Sequence, residues 1–238
     1  MSAQGKTVHE GEGTTQKTDT RFYGRRKGRP IVGYRASLMA EVLPQLVVPL
    51  DDADVLDLPS LFPSSPRYAL EIGFGGGEHL AARAQQKPEV GFIGAEAFVN
   101  GVASLVRHVH EGGMKNVRIH HGDVRNLLPK IADQVLDELY VLFPDPWPKT
   151  RHHERRLLRP EILRHFLRML KKSGRWYFAT DHADYLVWAL EQIQQVPEFR
   201  LVMRSAVRPE DWPPTRYEAK AMAAGRPCTY FVFERSTV

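Results

Sequence analysis

From Tyr68 onward, short apolar runs alternate with longer stretches that carry apolar residues at helical spacing, and this alternation restricts the fold more than any other feature of the chain. The runs YALEI, GFIGAE, VRIHHGD, ELYVLF, GRWYFAT and TYFVFER have the length and the β-branched or aromatic content of strands. ELYVLF is almost wholly apolar, so both of its faces are expected to be covered, as in a parallel sheet between helical layers. Between the runs, EHLAARAQQ, NGVASLVRHVHEG, DVRNLLPKIADQ, RPEILRHFLRMLKK and ADYLVWALEQIQQ read as amphipathic helices. The expectation is an α/β protein with a doubly wound, mostly parallel seven-stranded sheet and helices on both faces. A length of 238 residues suits one such domain.

Residues 1–20 are Gly, Thr, Gln and charge with almost no hydrophobe, and are expected to form a disordered tail. RFYGRRKGRP follows, within a basic segment 21–36. Its cations, Arg25 and Arg26 among them, are suited to phosphates, and its aromatics to bases. A solvated basic tail is the competing reading. The domain proper is expected over 37–238, beginning with SLMAEVLPQLVVPL, a short helix covering a sheet edge and limited by Pro44.

Lys and Arg number 33 against 28 Asp and Glu, so a polyanionic partner is worth testing. The single cysteine, Cys228, excludes an intrachain disulfide and a cysteine-rich zinc site. His120 and His121 stand near Asp123, but adjacent strand residues point to opposite faces, and no metal is assigned. No run reaches the roughly 20 apolar residues that span a bilayer, and the N-terminus has no signal-peptide core, so a soluble cytoplasmic protein is expected.

The chemistry is expected at one edge of the sheet. EIGFGGGEHL closes the first strand with glycines, including Gly73 and Gly75, and opens a helix. Glu78 occupies the third glycine position of a dinucleotide fingerprint, so a ligand without phosphates fits better. Glu71, Glu96 and Asp123 fall at three successive strand ends, where carboxylates would suit ribose hydroxyls, an amine and a net positive charge. S-adenosylmethionine has all three. The fourth strand delivers FPDPWPK to the same edge, where three prolines stiffen the exit that carries Asp145 and Trp147. The basic block Lys149 to Arg159 adjoins it and offers a way in for a large anionic substrate.

Taken in order, RFYGRRKGRP, EIGFGGG, GAE, HGDV, LFPDPWPKTRHHERRL, TDHADY, TRYEAKAMAAGRP and VFER resemble the bacterial tRNA (guanine-N7)-methyltransferases over nearly all of the chain after the tail. The resemblance implies a Rossmann-like class I methyltransferase that uses S-adenosylmethionine and takes tRNA as substrate, at variable-loop position 46. It implies cofactor contacts at Glu71, Glu96, Asp123 and Asp145, beside Gly73 and Gly75, with Asp145 also catalytic. It further implies substrate contacts at Lys149, Asp181, Thr215, Arg216, Tyr217 and Glu218, and RNA contacts at Arg151, His152, Arg155 and Arg156. A monomer is expected, with a homodimer as the alternative. Two other readings stay open: an amino-group methyltransferase, because DPW resembles the (N/D)PP(Y/W) turn without its second proline, and a non-catalytic RNA-binding protein on the same sheet.

Overall fold

The computed structural model describes residues 24, 28–50 and 55–236; the expected tail, together with Arg25 and Arg26, lies outside them. Seven strands form one sheet in the order β3-β2-β1-β4-β5-β7-β6. They are β1 (Arg67–Ile72), β2 (Val90–Glu96), β3 (Val117–His121), β4 (Leu136–Leu142), β5 (Leu170–Thr180), β6 (Phe199–Ser205) and β7 (Thr229–Arg235). The first five run parallel, and β7 lies antiparallel between β5 and β6. The described helices are α1 (Tyr34–Glu41), α2 (Leu43–Leu46), α3 (Leu58–Leu61), α4 (Glu78–Gln86), α5 (Val99–Glu111), α6 (Val124–Leu127), α7 (Pro160–Met169), α8 (Ala183–Ile193) and α9 (Arg216–Ala223).

Strand residues divide alternately between the two layers of core. Leu70, Ile72, Leu139 and Val141 pack with α3, α6, α7 and α8, whereas Ala69, Tyr140 and Leu142 pack with α1, α4 and α5. Ala69, Leu70, Leu139 and Val141 are all fully buried, as expected for strands covered on both faces.

Between β1 and β4 the order of strands reverses, so the loops after these strands diverge to opposite layers and leave a crevice at their carboxyl ends. Glycine turn and FPDPWPK turn meet there. The register pairs Ile72 with both Ala95 and Val141, which brings the ends of β1, β2 and β4 level.

The sheet edge at β3 is covered as expected, though by two helices: α1 stops at Glu41, and Pro44 sits in the first turn of α2. Val48 N then donates to Ile119 O at 3.0 Å and caps the edge. DVRNLLPKIADQ is a single α-turn followed by a 3-10 turn over Leu128–Lys130, because Pro129 has no N–H to continue the ladder. Lys171 and Lys172 belong to β5 rather than to α7. Three elements have no counterpart in the sequence reading: the single turn α3, β6, an exposed edge strand with Arg200 and Arg204 in it, and α9. Among the described residues, no helix is long and apolar enough to cross a membrane.

Candidate active site

A cleft of about 600 Å³ opens at the crevice. Its floor is the glycine turn, where Gly73 and Gly75 have φ of 71° and 57°, a left-handed backbone that favours glycine. A Cβ on Gly73 would meet nothing within 4 Å, whereas one on Gly75 would lie 2.7 Å from Tyr217 Cε2. The turn is therefore a bare-backbone cradle with one aromatic ring resting on its rim.

Glu96 ends β2 beside this cradle. Its carboxylate accepts from Gly75 N at 2.9 Å and from Ala97 N and Phe98 N at 2.8 and 2.9 Å. Burial raises its pKa, those three N–H groups oppose the rise, and the charge of Asp145 adds to it. Asp123 caps α6 and also lines the cleft, with its carboxylate held by Arg125 through Nε at 3.0 Å and Nη2 at 2.6 Å.

Asp145 is set opposite. Its surface is exposed, yet it lies within the concavity, and the loss of surrounding water raises its pKa. No described side chain hydrogen-bonds or ion-pairs with it, so its acceptor positions face the cleft. The backbone around it is unusual: Phe143 and Trp147, both bulky, have φ of 54° and 43°. Left-handed backbone at such residues costs on the order of 1–3 kcal/mol each and persists only where surrounding structure enforces it. Phe143 N donates to Ala179 O at 2.8 Å and ties the start of the turn to β5.

The basic block is a 3-10 helix, Thr150–Arg155, standing at the mouth of the cleft. Arg155 lies over the Trp147 ring at 5.1 Å, and His152 meets the same ring edge-on at 5.8 Å. Lys149 and Arg151 are exposed. From the opposite wall, α9 contributes Arg216, Tyr217 and Lys220, with Lys220 Nζ 5.6 Å from the Tyr217 ring.

Gly73, Gly75, Glu96, Asp123, Asp145, Arg155, Arg156, Arg216 and Tyr217 are thus brought to one cleft. Several expected contacts are placed elsewhere. Glu71 is 3% exposed, with Oε2 2.7 Å from His79 Nδ1 beneath the glycine turn. Strand alternation is the reason, since it turns Glu71 toward α4 while Leu70 and Ile72 face the other layer. Arg156 borders the cleft but is 2% exposed, so little of its side chain is open to an RNA contact. Asp181 pairs with Arg226 at 2.7 Å. Thr215 and Glu218 form a capping box at the start of α9, and buried Glu218 also accepts from Tyr230 OH at 2.7 Å.

The reading of residues missed Arg35, Asn100, Ser104, Arg125 and Lys220, all lining the cleft. One signal for part of this was present: Thr-x-x-Glu at 215–218 is a helix start, and it places Arg216 and Lys220 four residues apart on one helix face.

This strand order, with its antiparallel strand beside β5 and carboxylates around a glycine turn at the switch point, defines a Rossmann-like class I methyltransferase. Solved structures share the fold. The 16S rRNA methyltransferase KamB matches with a TM-score of 0.60 at 17% identity, over 80% of this chain and 98% of that one. An antibiotic-related methyltransferase matches with a TM-score of 0.56 at 18% identity, over 80% and 99%. A family profile described as "Putative methyltransferase" matches residues 66–231. The tRNA (guanine-N(7)-)-methyltransferase of Rhodospirillum rubrum is 45% identical over 225 residues, covering 91% of this chain and 88% of the relative. That of Paramagnetospirillum magneticum is 41% identical over 237 residues, covering 97% and 98%. The chain belongs to the tRNA (guanine-N7)-methyltransferase family.

Proposed function

We propose that this protein transfers a methyl group from S-adenosylmethionine to N7 of a guanine in tRNA, the variable-loop guanine at position 46 by family resemblance, in the cytoplasm. The observation that carries the reading is the juxtaposition of Asp145, on its strained turn, with the glycine cradle on one side and a basic 3-10 helix on the other.

The residues present suit that methyl donor. The cradle leaves room at Gly73, with Glu96 placed for ribose hydroxyls and Asp123 for an adenine amine. When bound, S-adenosylmethionine supplies an electrophilic methyl on a sulfonium.

Guanine N7 has an in-plane lone pair and no proton at neutral pH, so the site needs no general base. Position and electrostatics carry the acceleration. Asp145 accepts hydrogen bonds from the N1 and N2 edge of the guanine, which fixes the base and favours the positive charge that spreads over it as N7 is alkylated. Tyr217, with its ring at the rim of the cradle, packs on the base. Lys149, Arg151 and Arg155 meet the backbone phosphates beside it. The deep major groove of A-form RNA hides N7, so the base is taken from an open loop or turned out of its stack.

Incubation with unmodified tRNA and labelled cofactor, followed by aniline cleavage at N7-methylguanine, tests the reading. Cleavage at a single variable-loop guanine is expected; methylation of an exocyclic amine instead would support the amino-group alternative, and no cofactor binding would support the non-catalytic one.

A further inference from the structure

Arg156 closes the basic block, yet it behaves unlike its neighbours. Its side chain is among the largest that are fully buried in the protein. Nε donates to Pro146 O at 2.9 Å, and the guanidinium lies 5.4 Å from the ring of Tyr185 and 5.0 Å from that of Trp188, both on α8. Among the described residues no carboxylate forms an ion pair with it, and its Nη2 is buried without a hydrogen-bond partner. A buried guanidinium with one carbonyl acceptor, two ring contacts and the charge of Asp184 at longer range is costly, so its place needs a reason beyond stability.

The carbonyl supplies one. Pro146 sits between Asp145 and Trp147, inside the segment bracketed by the left-handed residues Phe143 and Trp147. Pro144, Pro146 and Pro148 have no N–H, so this turn cannot brace itself with donors of its own at those positions. Phe143 N ties its start to β5, and Arg156 ties its middle to α8. Arg155, one residue earlier, grips the Trp147 ring from the cleft side. The two consecutive arginines thus hold one turn at two points, Arg155 at the Trp147 ring and the almost wholly buried Arg156 at the Pro146 carbonyl.

We infer that Arg156 is a positioning residue for the proposed methyl transfer: it fixes the Pro146 carbonyl, and with it the strained turn that presents Asp145, and it makes no contact with the tRNA backbone. The inference rests on the function proposed above. A shift of about 1 Å in a group that orients the reacting base is enough for roughly a 100-fold loss of rate.

The test uses the full chain with Arg156→Met, which keeps volume and removes the donor, and Arg156→Lys, which keeps a cation against the rings without the planar fork. Single-turnover methyl transfer is measured at saturating tRNA, tRNA affinity is measured across a range of salt, and S-adenosylhomocysteine binding counts folded sites. The expected result for Arg156→Met is a rate lower by about 100-fold, tRNA affinity within about threefold of the wild type, and an unaltered salt slope. Arg156→Lys is expected to lose rate in the same way by a smaller factor, and it carries the test if the Met variant does not fold. A full rate at saturation in a folded variant overturns the inference, and so does a salt slope lower by about one phosphate contact, on the order of 0.7–0.9 in log–log terms. Failure of the wild-type protein to methylate tRNA would instead overturn the proposed function.

Discussion

Glu71 Oε2 and His79 Nδ1 lie 2.7 Å apart with both side chains almost wholly buried, and this pair fastens the end of β1 to the first turn of α4 beneath the glycine cradle. His79 Nε2 has no hydrogen-bond partner, so Glu71 supplies the ring's hydrogen bond while Tyr140 meets it edge-on at 5.1 Å. Glu71→Ala leaves a buried imidazole with neither nitrogen satisfied and is expected to cost about 1–3 kcal/mol. Glu71→Gln keeps an acceptor and is expected to cost less. Urea unfolding of both variants checks this; a Glu71→Ala protein as stable as the wild type would show that the pair contributes nothing.

Asp145→Ala is expected to reduce methyl transfer by about 100-fold or more while S-adenosylhomocysteine still binds. Burial raises the pKa of Asp145 and, with a contribution from Asp145 itself, that of Glu96. In each case the folded state holds its proton to a higher pH than the unfolded chain does. Stability is therefore lost as pH rises through the interval between the unfolded and the raised folded pKa, while the carboxylate needed for catalysis is gained over the same interval. Activity is expected to fall at a less acidic pH than an ordinary carboxylate would set. A pH series of rates and melting temperatures for wild type and Asp145→Asn checks both signs, since the variant should have the flatter stability profile.

Gly75→Ala adds a methyl group to a backbone at φ 57°, where the Cβ would stand 2.7 Å from the Tyr217 ring. The conformational part alone is worth roughly 1–2 kcal/mol, and displacement of the ring should weaken both cofactor and RNA binding. Adding Tyr217→Ala removes the steric part, so the two substitutions are expected to be less than additive. Calorimetric titration of the single and double variants reads that coupling.

Arg151 is exposed on the 3-10 helix, unlike Arg156. Arg151→Gln is expected to lower the slope of log affinity for tRNA against log salt by about 0.7–0.9, the share of one phosphate contact. Filter binding across a salt series measures it, and an unchanged slope would remove Arg151 from the RNA footprint.

α9 separates a motif from the meaning given to it. Thr215 and Glu218 lie in a segment expected to touch substrate, yet Glu218 is buried, accepting from Tyr230 OH and ion-paired with Arg208 at 3.0 Å. Breaking this cap with Glu218→Ala should loosen the helix that presents Arg216 and Tyr217, and so raise KM for tRNA through position rather than through a lost contact. Chymotrypsin nicking of the α9 region, compared in wild type and variant, distinguishes a frayed helix from an intact one.

Apolar periodicity in the sequence was enough to place six of the strands and most of the long helices, because burial on both faces requires continuous hydrophobic runs that a covered strand cannot do without. β6 escaped because an edge strand open to water needs no such run, and its arginines resemble a loop. The glycine turn, Glu96, Asp123 and Asp145 were legible because strand ends in a parallel sheet share one edge whatever the details of packing. Which way a side chain turns at that edge was decided only by the tertiary structure. Period-two alternation sends Glu71 under the cradle to His79, and the Tyr185 and Trp188 rings of α8 bury Arg156 while Arg155 beside it stays partly exposed over Trp147. A run of like charges in sequence carries no record of which member is buried, because burial depends on contacts with elements far away in the chain.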